Sequence, residues 1–335
     1  MDESAVAHER RLLQFKLRRS GMELNKSCRV GVAMAAMVAA LDATAAHSYS
    51  TPTSLDIAGW AWTQPWDIGN DGIIVGSVSD GVSVTKGFIR NGATLTLLDG
   101  PNGALYATAS GIADDGTVVG FYGTGDPNAP TDHGFLYKNG SYTTFDIAGR
   151  AGTAVRHISS NGRYLTGLSF DDTGSFDGFA YDRLSSGLKV YSNPPRGTIA
   201  QGANSQGLVT GSISGNPGGW VHDLNTDTLT LYPSIDGHLR PRFRDINDSG
   251  LITGFVAVDG IAMVGAPGDW FYFDLTPGAT LMSGYGLNDA GDLVGWWTEA
   301  DGTTHGWMSR PVPEPSTWAL MALGVIGLAA RRRSR

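Results

Sequence analysis

The sequence predicts an all-β fold, a six-bladed β-propeller. One motif recurs six times at an even spacing, and a lone strand before the first repeat matches the strand that the last repeat lacks. The motif places Asn, Asp or Ser two residues before a turn glycine and ends in a second glycine. Its turn glycines are 44, 46, 45, 43 and 41 residues apart, at Gly72, Gly116, Gly162, Gly207, Gly250 and Gly291. Four strands in a repeat of about 44 residues indicate a propeller blade.

Each motif predicts the end of one strand, a tight turn and the start of the next strand. Polar residues followed by glycine supply the positive φ that a hairpin turn needs, and the flanking apolar residues alternate as in a half-buried strand. A third strand follows around a Gly-aromatic pair such as Gly134-Phe135, with Gly260-Ile261 as the weakest copy. A fourth strand comes next, as at Thr144-Phe145-Asp146. The third copy has one extra residue between its glycines, which predicts a bulge.

The two ends of the array predict that the ring closes. The sixth repeat stops after its third strand, at Gly306-Trp307-Met308, and lacks a fourth strand. A lone fourth strand stands before the first repeat, where Ser54 to Gly59 nearly repeats the text of Phe145 to Gly149. If the lone N-terminal strand paired with the third strand of the sixth repeat, both open sheet edges would be removed. The alternative is an open stack of the same sheets, such as a solenoid, which leaves this complementary pair unexplained.

The C-terminal residues 311–335 combine a Pro-Glu-Pro motif, an apolar run and a basic stop. These parts are Val312, Pro313, Glu314 and Pro315, then Trp318 to Ala330, then Arg331, Arg332 and Arg333. The tail resembles the PEP-CTERM sorting signal of Gram-negative bacteria, which implies processing by a membrane exosortase. A helix of this run measures roughly 20 Å against ~30 Å of hydrocarbon, so a transmembrane helix needs flanking residues and snorkelling arginines. The alternative is a buried C-terminal helix of the main domain.

The N-terminal residues 1–46 predict a signal peptide with a signal helix. Lys26 and Arg29 precede the apolar stretch Val30 to Leu41, and Ala43-Thr44-Ala45 offers the small residues that signal peptidase needs. Met22 is a candidate true start, and a transit peptide is the alternative. Before exosortase processing the chain would be anchored in the inner membrane, with its arginine stop on the cytoplasmic side. We expect the processed protein at the cell surface or outside the cell.

The body between the signals, residues 47–310, is acidic. Eleven of the 24 Lys and Arg residues lie in the two signals, so the body keeps 24 − 11 = 13 against roughly twice as many acidic residues. Nucleic-acid binding requires a basic surface and is therefore not expected. Because Cys28 would leave with the signal peptide, the body has no disulfide.

The repeated INDSGLITG-type motif and the HGFLY-type third strand resemble the HAF repeats of bacterial extracellular proteins. His-Gly-Phe is complete at His133-Gly134-Phe135, and His305-Gly306-Trp307 is close to it. The resemblance implies an extracellular repeat architecture and little about biochemistry. The two histidines occupy one position in two blades, so we interpret them as structural rather than as ligands.

The body lacks the sequence signatures of common catalytic centres and cofactor sites. It has no Gly-x-Ser-x-Gly elbow, no His-Glu-x-x-His pair, no phosphate loop and no cysteine nucleophile, so no cofactor or metal is expected. The acids of the motifs fit hairpin turns better than catalysis. The stretch Asp171 to Asp177 could line a Ca²⁺ ion but lacks the spacing of a twelve-residue calcium loop.

One position varies where its neighbours do not. Two residues before the apolar anchor of each motif stand Trp66, Ser110, Arg156, Gln201, Arg244 and Tyr285. Aromatic faces stack on sugar rings and arginine pairs with carboxylates, so Trp66, Arg156, Arg244 and Tyr285 form a candidate site for an acidic polysaccharide. The alternative is that the tryptophans pack between blades and the arginines are a solvated rim.

Two function classes follow from these observations. We favour an exported, non-enzymatic propeller that binds extracellular polysaccharide or matrix partners. The alternative is a secreted propeller enzyme, a glycosidase or lyase, which would need two carboxylates converging in a central pocket with a raised pKa.

Overall fold

A computed structural model of the chain describes residues 48–127, 129–192, 197–214 and 218–312. The predicted signal helix, the predicted transmembrane helix, Pro313 to Pro315 and the three-arginine stop lie outside these residues. Within the described ranges, no helix has the length and apolar character needed to cross a membrane.

The described chain contains six antiparallel sheets of four strands, which confirms the predicted propeller. The first strand is β1 (Thr53–Ser54). Blade 1 contains β2 (Trp62–Ile68), β3 (Ile74–Ser79), β4 (Thr85–Asn91) and β5 (Thr94–Leu98). Blade 2 contains β6 (Tyr106–Ile112), β7 (Val118–Asp126), β8 (Ala129–Lys138) and β9 (Ser141–Phe145). Blade 3 contains β10 (Gly152–Ile158), β11 (Tyr164–Phe170), β12 (Phe176–Asp182) and β13 (Gly187–Tyr191).

The second half of the ring follows the same plan with one addition. Blade 4 contains β14 (Thr198–Ala203), β15 (Leu208–Ile213), β16 (Gly219–Asp223) and β17 (Thr228–Tyr232). A short hairpin follows, with β18 (Ser234–Ile235) and β19 (His238–Leu239). Blade 5 contains β20 (Pro241–Ile246), β21 (Ile252–Val256), β22 (Ile261–Ala266) and β23 (Asp269–Tyr272). Blade 6 contains β24 (Ala279–Leu287), β25 (Leu293–Glu299) and β26 (Thr304–Ser309), with β1 as its fourth strand.

The N-terminal strand closes the ring, as the sequence predicted. Thr53 lies opposite Met308 and Ser54 opposite Trp307, so β1 is shorter than the predicted strand. The pairing continues outward, because the Val312 N–H donates to the Ser48 carbonyl at 2.8 Å. The first strands of successive blades contact one another around the ring, including β24 with β2, so they line a central channel.

Each motif requires glycine at two positions, for two different physical reasons. The turn glycine adopts positive φ in all six copies, for example 80° at Gly72 and 84° at Gly291, a conformation that costs other residues energy. The second glycine lies under a neighbouring side chain, since a Cβ on Gly76 would stand 2.2 Å from the Gln64 carbonyl oxygen and 2.6 Å from the Phe88 ring. Phe88 is fully buried, as are its counterparts Phe135, Phe179, Trp220 and Trp307.

The predicted bulge in the third copy is wrong, because the extra residue lengthens the turn instead. In blade 1 the Gly69 N–H donates to the Ile73 carbonyl, four residues on, whereas in blade 3 the Ser159 N–H donates to Tyr164, five residues on. The strands β11 and β12 then pair without a register shift. A surface turn accommodates an insertion more readily than a paired strand does.

Candidate functional site

Every innermost strand contains a β-bulge, and the bulged residue is the variable position of the motif. In blade 1, Pro65 pairs with Gly76 and Asp67 with Val75, which leaves Trp66 without a partner in the register. The same shift occurs in the other five blades, at Ser110, Arg156, Gln201, Arg244 and Tyr285. A bulge re-aims the side chain it carries. The six variable residues therefore form one ring of side chains on the channel-lining strands.

The structure brings the four predicted ligand residues together in a cluster of cations and aromatic rings. We call this the bulge cluster; it consists of Trp66, Phe121, Arg156, Arg244, Phe255, Tyr285 and Trp296. The rings of Tyr285 and Trp296 stack at 3.5 Å between centroids. Trp66 lies 5.1 Å from Tyr285 and 5.4 Å from Trp296, so the three rings form its centre.

Each guanidinium of the bulge cluster lies between two aromatic side chains. The Arg156 Cζ is 4.7 Å from the Phe121 ring centre and 5.1 Å from that of Trp66. The Arg244 Cζ is 4.5 Å from the Tyr285 ring centre and 5.2 Å from that of Phe255. Cation–π contacts stabilise both arginines.

The two arginines have hydrogen-bond donors that bind nothing in the described part of the chain. Both Nε atoms are buried and have no hydrogen-bond partner, and in the described ranges no carboxylate lies within 4.0 Å of either guanidinium. Burial lowers the pKa of Arg156, and the positive charge of Arg244 lowers it further. Two partly buried like charges without an ion-pair partner repel each other, and a bound anion would relieve that repulsion.

Asp132 is an acidic residue whose charge acts on Arg156 of the bulge cluster. Burial raises the pKa of its carboxyl, and the Tyr106 hydroxyl, which donates a hydrogen bond to it, and the charge of Arg156 oppose that rise. Tyr106 begins β6, and Asp132 belongs to the long β7–β8 hairpin of blade 2. The bulge cluster therefore has a partly buried acid at its edge, beyond ion-pair distance of Arg156.

Other residues near the variable position have structural partners. Trp60 packs against the buried core that includes Ile68 and Phe88. The Arg242 guanidinium donates to the Ile213 carbonyl of blade 4. The alternative interpretation therefore holds for Trp60, whereas Arg242 joins two blades and is not part of a solvated rim.

Sequence reasoning missed a second set of channel residues, the triad of Asp67, His157 and Asp245. Their carboxylate and imidazole atoms lie within 4.8 Å of one another, and all three residues are buried. The His157 Nε2 is 3.2 Å from Asp245 Oδ1 and 3.6 Å from Asp67 Oδ2. Burial raises the pKa of Asp67 to about 7 although the charge of His157 opposes the shift; burial also raises that of Asp245.

The triad alternates around the ring with glycine. The residue after each bulge is Asp67, Gly111, His157, Gly202, Asp245 and Gly286. Each triad side chain accepts a backbone N–H from the next blade: Asp67 from Ile112 at 2.8 Å, His157 Nδ1 from Ala203 at 3.2 Å, and Asp245 from Leu287 at 2.9 Å.

The glycines allow the blades to meet. A Cβ on Gly286 would stand 2.4 Å from the Asp67 Cα, and one on Gly202 would stand 2.6 Å from the Asp245 Cα. Gly111 is as close to blade 3, at 3.0 Å from the His157 Cα. The alternation in the sequence, polar residue then glycine, was the signal that could have revealed this layer.

The hydrogen bonds of the triad do not favour a metal ion. A histidine that binds metal through one nitrogen donates a proton from the other. In His157 the Nδ1 accepts the Ala203 N–H, so the proton lies on Nε2 and points at the carboxylates. The arrangement holds a proton between blades 1, 3 and 5 and acts as a brace across the channel.

The opposite end of the channel, which we call the hairpin end, is lined by the Asn, Asp and Ser residues of the six motifs. Asn70 donates to Asp114 at 2.9 Å and to Asp289 at 2.8 Å, and its own carbonyl accepts the Asp289 N–H at 2.8 Å. The chain of bonds continues as the Asp248 N–H donates to Asp289 and the Ser205 N–H donates to Asp248. The polar groups here bind one another, in contrast to those of the bulge cluster.

The remaining candidate residues take structural roles. His133 pairs with Asp146 at 2.9 Å and His305 with Asp56 at 2.8 Å, each joining the third and fourth strands of its blade. Asp171 accepts the backbone N–H groups of Thr173 and Ser175 and so forms a tight turn.

Comparison with known proteins identifies the tail. The PEP-CTERM protein-sorting motif matches residues 311–333, which implies an exported protein that is anchored at a membrane before exosortase processing. No curated protein sequence matches the chain.

Solved structures resemble the chain in fold alone. A prolyl endopeptidase is 13% identical with a TM-score of 0.48; the match covers 88% of this chain and 57% of that one. A gluconolactonase from Xanthomonas campestris is 13% identical with a TM-score of 0.48, over 80% of this chain and 96% of that one. An oligogalacturonate lyase from Vibrio parahaemolyticus is 10% identical with a TM-score of 0.45, over 80% and 98%. The six four-stranded sheets make the chain a β-propeller, and its residues 311–333 match the PEP-CTERM sorting motif.

Proposed function

We propose that this exported protein is a non-enzymatic propeller that binds an acidic extracellular polysaccharide at the bulge cluster. The observation that carries the proposal is the pair of guanidinium groups of Arg156 and Arg244, whose buried Nε atoms have no partner. A protein that needed only a packed channel would gain stability from apolar residues here. An anionic ligand would supply the missing acceptors.

The aromatic rings of the bulge cluster support a sugar ligand in particular. Trp66 and Tyr285 are partly exposed, so parts of both rings remain accessible beside the two cations. Sugar rings present C–H groups to aromatic faces, while carboxylates accept paired hydrogen bonds from arginine. The same four residues thus offer both kinds of contact that an acidic sugar can use.

The proposal includes the route of the protein. Residues 1–46 are removed by signal peptidase, an exosortase processes the tail in the inner membrane, and the propeller reaches the cell surface or the surrounding matrix. The HAF-type repeats belong to the same proposal, since they resemble those of bacterial extracellular proteins.

Binding of the processed protein to the extracellular polysaccharide of its host tests the proposal. We expect saturable binding that weakens with added salt, because the contact is ionic. The double variant Arg156→Gln, Arg244→Gln should bind at least about 100-fold more weakly, since each of the two lost charged hydrogen bonds costs about 1.5–3 kcal/mol.

A matched control removes the same charge elsewhere. Arg90 and Lys189 lie on outer strands, and the variant Arg90→Gln, Lys189→Gln should bind as the wild type does. Equal losses in both double variants would mean that only the net charge matters, and they would refute a site at the bulge cluster.

A secreted glycosidase or lyase is the second candidate, and one observation favours it. Asp67 and Asp245 converge within 4.8 Å beside Trp66 and Arg244, near the about 5 Å of retaining glycosidases, and both have raised pKa values. Against it, both carboxylates are buried, and the adjacent cavity measures about 30 Å³, room for water but not for a sugar.

Product formation separates the two candidates. Incubation with the polysaccharide should release no new reducing ends and no unsaturated uronate absorbing in the ultraviolet. If product appears and the variant Asp67→Asn, Asp245→Asn abolishes it, the enzyme candidate replaces the binding protein.

A further inference from the structure

The triad closes the channel from side to side. Its three side chains come from alternate blades and approach within 4.8 Å of one another. The spaces between them are filled by the backbone at Gly111, Gly202 and Gly286, where even a methyl group would collide with the next blade. A polysaccharide chain therefore cannot thread through the ring.

The bulge cluster lies directly against this closed layer. Trp66, Arg156 and Arg244 each immediately precede a triad residue in the sequence. A ligand can reach the two guanidiniums from the bulge side only, because the triad blocks the other approach.

Within the described ranges, the innermost strands leave no lateral opening in the channel at this depth. The first strands of all six blades contact their neighbours around the ring, and the closing contact of β24 with β2 completes it. An extended polymer needs an open groove in which chain can leave in both directions. The walls formed by the innermost strands provide no such groove.

The bulge cluster is a single site rather than a repeated one. The six bulged residues comprise two arginines, two aromatic residues, one Ser and one Gln, so no two-fold or six-fold set of equal subsites exists. Ser110 is occupied by its hydrogen bond to the Val155 carbonyl at 2.7 Å. The two cations of blades 3 and 5 thus define one anion position per molecule.

We propose that the bulge cluster recognises one anionic sugar unit end-on, at a chain terminus or branch tip, and does not bind internal stretches of a polysaccharide. This inference rests on the proposed function and adds the form of the ligand. One molecule of protein would hold one terminal unit, with its acidic group between Arg156 and Arg244 and its ring against Trp66 or Tyr285.

Affinity as a function of chain length tests end-on recognition. Fragments of the host polysaccharide from partial acid hydrolysis, separated by size, would be titrated calorimetrically into the processed protein. We expect one fragment per protein and a molar affinity that changes by less than about tenfold from disaccharide to decasaccharide. The variant Arg244→Gln should lower the affinity for every fragment by the same factor.

The outcomes distinguish this inference from the proposed function. An affinity that climbs by more than about tenfold with length would indicate an extended groove and overturn end-on recognition, while binding itself stands. No binding by any fragment or by the intact polymer would overturn both proposals. Carboxyl reduction of the fragments should abolish binding; unchanged binding after reduction would show that the acidic group is not recognised.

Discussion

The two ends of the channel are built from the same repeat and treat their polar groups in opposite ways. At the hairpin end, Asn70, Asp114 and Asp289 bind one another and the neighbouring backbone. In the bulge cluster, Arg156 and Arg244 have buried nitrogen atoms without partners. Satisfied polar groups stabilise a fold, and unsatisfied ones cost stability unless a ligand completes them. The proposed binding site lies at the end whose polar groups are unsatisfied.

The largest expected effect on stability comes from disrupting the layer of triad residues and glycines between the two ends of the channel. Gly286→Ala places a Cβ 2.4 Å from the Asp67 Cα, and backbone cannot move aside as a flexible side chain could. We expect the free energy of unfolding to fall by about 3 kcal/mol, measured by urea denaturation.

Gly174→Ala serves as the control for that substitution. Gly174 has a φ of 81° and nothing within 4 Å of an added Cβ, so only backbone strain of about 1 kcal/mol is expected. Equal losses at the two positions would mean that the blades do not meet closely at the triad.

The next effect depends on pH and concerns the charge of the same layer. Burial raises the pKa of Asp67 to about 7 from a usual value of 3.8. The folded protein therefore holds this proton more tightly than the unfolded chain, and the stability it contributes is full below pH 3.8 and is lost as the pH rises through about 7. In urea denaturation series from pH 4 to 8, we expect the stability of wild type to fall relative to Asp67→Asn.

Asp80 provides a control of opposite sign. Its carboxylate accepts three backbone N–H bonds, from Val84, Val82 and Ser83, which lower its pKa. Its contribution is fully present above the usual pKa of 3.8 and is lost as the pH falls below it. Asp80→Asn should therefore lose ground to wild type as the pH rises toward 3.8 and run parallel to it from pH 4 to 8. Parallel curves for wild type and Asp67→Asn would refute the buried proton.

A smaller effect is expected at the hairpin end. Asn70→Ala removes two donated hydrogen bonds and one accepted bond, and it leaves Asp114 and Asp289 without their shared partner. We expect a loss of about 1 kcal/mol in stability with polysaccharide binding unchanged. Asn91→Ala is the control, because the Asn91 side chain makes no hydrogen bond within the described ranges. A loss of binding in Asn70→Ala would contradict the division between the ends.

The smallest change in stability is expected in the bulge cluster, with the reverse consequence for function. Arg244→Met removes a partly buried charge with an unpartnered Nε while keeping the length of the side chain, so the free energy of unfolding should rise by about 0.5 kcal/mol as binding is lost. Thermal unfolding and calorimetric titration of the same preparation would measure both. A destabilised variant that still binds would reverse the assignment of the two ends.

Several parts of the fold were predictable because they repeat. The sequence repeats its turn glycines and its Gly-aromatic strand, and its two ends match each other. Such repetition is not expected by chance. The variable position could also be located, since it lies at a fixed distance from the apolar anchor. The bulge that turns its side chain could not be recognised, because the register of a strand depends on its partner.

The triad was missed for a different reason. Asp67 and Asp245 lie beside hairpin turns, where acids have an ordinary role, and His157 resembled a neighbour of the variable residues. Their meeting depends on the curvature of the ring, which brings side-chain atoms from alternate blades within 4.8 Å of one another across the channel. The β18–β19 hairpin and the length of the β7–β8 hairpin were missed too, since neither follows the repeat.

Closure by β1 has a consequence for vectorial export. Thr53 crosses the membrane early and its partner Met308 late, 255 residues afterwards, so blade 6 is completed only when nearly all of the chain has emerged. Closure of the ring and emergence of the sorting motif then depend on the same late segment, because Val312 lies three residues after β26 and pairs with Ser48. A translation product that stops before β26 would lack both the third strand of blade 6 and the sorting motif at residues 311–333.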